Sequence, residues 1–178
     1  METMLKIKGK ILFDPPDKTK KHTNQGKWKK VAYLDITGDI CEYYCWHMKK
    51  RFNLILNRPL RRAHITFIND RTSDMDFSNL SWDGLKKKWN NKVIEVELDL
   101  NPRTDDINWW FTISEASRKP LHDIRKEVGL GRPYFGLHMT IGSAGVSYDE
   151  VEFGKEKIAR DNVAHSKYLH GLAKKGLI

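Results

Sequence analysis

Six apolar-rich stretches of the chain predict β-strands, with the clearest apolar–polar alternation in the first and the fourth. They are Lys6–Phe13, Val31–Thr37, Ala63–Ile68, Lys92–Leu100, Ile107–Ser114 and Tyr134–Gly142. Between them the period lengthens. Asp39 is placed to cap a helix running to about Phe52, with Ile40, Tyr44, Met48 and Phe52 on its apolar face and Cys41 and Cys45 beside them. Ser78–Trp89 and Pro120–Val128 predict two further helices, the second ended by "GLGRP". Glu152–Lys175 is rich in helix formers and predicts a last one. Asp14–Lys30 reads as a basic loop carrying Trp28, and "NPRTDD" (101–106) as a turn. Strands and helices mix without a strict βαβ rhythm, so the expected class is α+β.

Two of the strands break the apolar pattern in the same way. "AHITFI" places His64 and Thr66 two apart, and "GLHMTIG" does the same with His138 and Thr140. Alternate residues of a strand share a face, ~6.5–7 Å apart. Each motif therefore has a polar His–Thr face and an apolar face, Ile65 and Phe67 in one strand and Met139 and Ile141 in the other. Seven histidines and nine threonines in random order give about a third of one such match. A single pair on a sheet is commonly structural, whereas two equivalent pairs point to a shared site.

Composition narrows the partners. The 178 residues are enough for one well-packed domain, and 39% apolar with 31% charged residues fits a globular chain. No apolar run approaches the ~20 residues that span a bilayer, and the N-terminus has no signal-peptide pattern. Cys41 and Cys45, one helical turn apart, read as reduced thiols, so the expected compartment is the cytoplasm. The net charge of +9, from 32 basic and 23 acidic residues, favours polyanionic partners over a merely solvated basic surface.

Two histidines facing one phosphate suit phosphoryl transfer. A neutral imidazole takes the proton of the nucleophile and a protonated one gives a proton to the leaving oxygen. The threonine hydroxyls donate to non-bridging oxygens, where charge builds. In a ribonucleotide the nearest nucleophile is its own 2′-OH. Zinc would need more ligands than two histidines, and Asp70 is six residues from His64, so no metal or other cofactor is expected.

With these motifs the chain resembles the two-histidine (2H) phosphoesterases, which carry paired H-x-[ST] motifs on central strands. The segments "KGKILFDPP", "WKKVAY", "RPLRRAHITFIND", "KKWNNKVIEVELD", "GLGRPYFGLHMTIG" and "HSKYLHGLAKKGLI" are similar to the anti-CBASS nuclease family of T4-like phages. The resemblance implies one domain over 1–178, of two pseudo-symmetric lobes with one motif each. Two antiparallel-rich sheets would face a central cleft, with helices outside. It implies metal-independent cleavage of the 3′–5′ bonds of cyclic di- and trinucleotide immune signals such as 3′,3′-cGAMP, in the cytoplasm of an infected bacterium. His64, Thr66, His138 and Thr140 would be the catalytic set. The family closes its C-terminal part over the bound base, here His165–His170, with Lys167 and Tyr168 as candidate contacts.

Further substrate contacts follow from alternation. Tyr134, Gly136 and His138 share one face of their strand, which makes Tyr134 the base-stacking candidate. Of the adjacent Trp109 and Trp110 one faces the core and one can stack on a base, with Trp109 the candidate. Arg62, with Arg61 and Arg132, flanks the motifs and can steer a phosphodiester. Two other functions fit the same residues: an enzyme acting on RNA ends with 2′,3′-cyclic or 2′-5′ linkages, and a nucleotide-binding protein that uses the basic loop without turnover.

Overall fold

The computed structural model describes residues 3–15, 30–36, 38, 40–59, 61–69, 82–145 and 155–178. The basic loop around Trp28, the Asp39 cap, Asp70 and the first residues of the helices expected at Ser78 and Glu152 lie outside them. The elements are β1 (Met4–Phe13), β2 (Ala32–Ile36), α1 (Ile40–Phe52), β3 (His64–Ile68), α2 (Trp82–Trp89), β4 (Val93–Thr104), β5 (Asn108–Ile113), α3 (Glu115–Glu127), β6 (His138–Ser143) and α4 (Lys155–Lys174).

The strands form one closed barrel in the order β1-β2-β3-β6-β5-β4. This corrects the expected bilobal fold of two sheets facing a cleft. The ring closes where β1 pairs with β4, from Met4 opposite Asp99 to Lys10 opposite Val93. β3 pairs directly with β6, Ile65 opposite Met139, so the two motifs are neighbours in one sheet rather than one per lobe. The chain also divides into two compact units. One takes Met1–Thr37, His64–Leu100 and Thr112–Met139; the other takes Gly38–Ala63, Asn101–Phe111 and Thr140–Ile178.

In the first unit the strands bury one face. Ile11, Leu34, Ile65, Phe67, Val96, Leu98 and Met139 are all buried, and the residues between them are mostly polar and partly exposed. Gly9 is required by this packing, because a Cβ there would stand 2.3 Å from the Leu34 side chain. The β2–β3 register shifts between Ala32 and Tyr33, which face Ile68 and Thr66. Phe67 is thus the extra residue of a bulge, and Phe67 and Ile68 are buried in succession.

Three element boundaries differ from the sequence reading. α3 begins at Glu115 rather than Pro120, because Ser114 caps it by accepting from the Ser117 amide, and Pro120 lies inside the helix. β4 runs on through the exposed Asn101–Arg103 to Thr104, leaving the turn to Asp105–Ile107, where the Asp105 carboxylate accepts from the Asn108 amide at 2.6 Å. β6 begins at His138, so Tyr134 and Phe135 precede the strand.

The second unit holds α1, β5's first four residues, most of β6, and α4. Asn162 of α4 accepts from the Ile55 amide and donates to the Ile55 and Ala144 carbonyls at 2.7 and 2.8 Å. His165 reaches the Phe52 carbonyl at 2.7 Å. Asn57 and Ser143 exchange both backbone hydrogen bonds, and a Cβ at Gly142 would come within 2.6 Å of the Asn57 carbonyl.

Candidate active site

β3 and β6 place their motifs by the same alternation. Ile65, Phe67, Met139 and Ile141 are fully buried, whereas His64, Thr66, His138 and Thr140 are half-exposed. Ile65 faces Met139 in an antiparallel pair. Continuing that register by one residue sets Thr66 opposite His138, their Cβ atoms ~4.5–5.5 Å apart. His64 then stands diagonally to His138 on the same face, ~7–8 Å away. A phosphate accepting hydrogen bonds of ~2.8 Å from both rings fits that separation. Thr140 follows two residues after His138 along β6, on the face His138 occupies.

Local contacts orient both rings. The Tyr33 ring lies 5.1 Å from the His64 ring, tilted by 57°. β2 supplies Tyr33 opposite Thr66 and Asp35 opposite His64. The Nδ1 of His138 is 2.6 Å from the Gly136 carbonyl. A carbonyl only accepts, so Nδ1 carries the proton and donates, which leaves Nε2 as the atom that exchanges protons. Gly136 has open space where a Cβ would stand, so this turn is not crowded against a neighbour.

Arg125 of α3 supports both motifs and carries no signal in the sequence. It is 1% exposed. Its Nε donates to the Gly131 carbonyl at 2.8 Å, and Nη1 donates to the Phe67 carbonyl at 2.6 Å. One guanidinium thus holds the bulge of β3 and the loop that leads into β6. In the second unit, the thiols of Cys41 and Cys45 point at the Thr140 and Ile141 carbonyls, 3.3 and 3.5 Å away. Burial pushes the Cys41 thiol up to about 12, with the neighbouring Cys45 and Glu42 adding to the effect. Cys45 is also raised, mainly by burial, against the opposing pull of Arg58.

The remaining candidates part company. Tyr134 is 80% exposed beside Phe135, but it reaches no common face with His138 through strand alternation, since the strand starts later. Arg62 is exposed and likewise precedes its strand. Trp109 is the inward member of its pair: it is buried, and its indole N–H donates to Ser166 at 2.8 Å, which removes it from the base contacts. Trp110 is the partly exposed member. Lys167 and Tyr168 are exposed on α4, whereas Ser166 and Leu169 are buried. Among the described residues no three His, Cys, Asp or Glu side chains gather as a metal set, and no helix is long and apolar enough to cross a membrane.

No family model, curated protein or solved structure matches the chain.

Proposed function

We propose that the protein is a phosphodiesterase that opens cyclic di- and trinucleotides such as 3′,3′-cGAMP by metal-independent attack of the 2′-OH, as a 2H phosphoesterase akin to the anti-CBASS nucleases. The observation that carries the reading is the pairing of β3 with β6 in a register that sets Thr66 against His138, with His64 on the same half-exposed face. One histidine takes the 2′-OH proton as the oxygen attacks phosphorus. The 5′-oxygen leaves with a proton from the other. A 2′,3′-cyclic phosphate results, and water opens it with the two roles reversed. Thr66 and Thr140 donate to the non-bridging oxygens. His138, with Nδ1 tied to Gly136, works through Nε2. The net charge of +9 favours an anionic substrate. The setting that goes with this reading is the cytoplasm of an infected bacterium, where such a protein would blunt CBASS signalling.

Incubation with 3′,3′-cGAMP in EDTA, followed by chromatography and mass spectrometry, tests the reading. The expected products are a linear dinucleotide ending first in a 2′,3′-cyclic phosphate and then in a phosphomonoester. Intact substrate overturns the proposal. Faster cleavage of linear RNA ends bearing 2′,3′-cyclic or 2′-5′ linkages would move the substrate to RNA.

A further inference from the structure

α1 buries Cys41 and Met48 and turns a row of aromatic rings outward. Tyr43 is 56% exposed and Trp46 55%, their ring centroids 6.0 Å apart. His47 lies nearly parallel to Tyr43, at 6.4 Å and 22°, and reaches Phe52 at 6.2 Å. The row continues onto α4. His165 is joined to the Phe52 carbonyl at 2.7 Å and stacks at 6.3 Å and 21° with Tyr168, which is 61% exposed. Every one of these residues belongs to the same compact unit.

Cations accompany the rings on the same two helices. Lys49, Lys50 and Arg51 occupy the last turn of α1, and Lys167 precedes Tyr168; all four are exposed. Of the carboxylates with described side chains on these elements, Glu42 is bound by Arg58, and Asp161 is exposed on α4. An apolar protein-docking face would not place four cations at its margin. Exposed aromatic residues beside positive charge match a single strand of nucleic acid: bases stack on rings and phosphates meet cations. We propose that this surface binds single-stranded nucleic acid, independently of the two-histidine site.

The test is fluorescence anisotropy with a fluorescein-labelled deoxythymidine 12-mer in low salt. A deoxy strand has no 2′-OH, so the cleavage chemistry proposed above cannot consume it, and failure of that reading leaves this measurement intact. Saturable binding is expected, with Trp46→Ala and Tyr168→Ala each weakening it about tenfold. Lys49→Ala with Lys50→Ala should flatten the slope of log K against log salt by about 1.4. All the substituted side chains are exposed, so circular dichroism should be unchanged. Absence of binding, or binding indifferent to these substitutions, overturns the proposal. Trp46-dependent binding to phosphatidylglycerol vesicles without binding to the strand would assign the surface to a membrane and overturn it equally.

Discussion

At the scale of single residues, two side chains outside the motifs touch the strands that carry them. Arg125 is buried with its guanidinium divided between the Phe67 and Gly131 carbonyls. Truncation would strand the buried Phe67 carbonyl and release the part-buried one of Gly131. Arg125→Ala should therefore cost about 3 kcal/mol of stability in urea unfolding. A loss below about 0.5 kcal/mol, the range of ordinary surface changes, would contradict this role. Cys41 is the second case. Its thiol, raised to about 12 against an ordinary value of 9.0, stays protonated where a free cysteine would be partly thiolate. Iodoacetamide at pH 8 should leave Cys41 unmodified in the folded protein. The native state holds the proton more tightly than the unfolded chain, so this stabilisation is complete below pH 9 and is lost as pH rises toward 12. Rapid alkylation at pH 8 would show that the thiol is not buried. The faces of His64 and Thr66 were legible in the sequence because strand alternation fixes them. The Arg125 contacts were not, because they depend on a bulge at Phe67 that exists only once β2 has paired with β3.

At the scale of elements, α4 is the clearest gain over the sequence. It reads there as a segment closing over a base. The structure docks it through Asn162, His165, Ser166 and Leu169, leaving Lys167 and Tyr168 outward. Asn162 stands in for a missing strand partner of Ile55, accepting its N–H and donating to its carbonyl. Asn162→Ala should lower stability by about 2 kcal/mol and loosen α4. Hydrogen exchange checks this: amides of α4 should lose protection in the variant ahead of those in β3, and uniform loss would contradict local docking. α3 shows why the sequence misplaced a boundary. Pro120 is a common first-turn residue and drew the expected start to itself, yet Ser114 followed by Ser117 supplied the real cap. The turn at "NPRTDD" was overextended for a related reason. Pro102 tolerates an extended, exposed strand position, so β4 continues through it to Thr104.

At the scale of the whole molecule, the sequence told which residues face alike, but not which strands are neighbours. Alternation is local. The closure of β1 on β4 joins residues about ninety positions apart, and the β3–β6 pairing joins others more than seventy apart. Those long-range pairings turned an expectation of two facing sheets into a single ring. They also brought the motifs closer than that expectation required: His64, Thr66 and His138 meet by cross-strand register, with no lobes to close. If the two motifs form one site, they act as one unit, and their losses are not additive. The most direct measurement is the turnover of 3′,3′-cGAMP in EDTA by His64→Ala, His138→Ala and the double variant, with folding checked by thermal unfolding. Each single substitution is predicted to lower kcat ~10²–10⁴-fold, and the double variant to fall little further than the weaker single one. Full turnover in either single variant would contradict a shared two-histidine site.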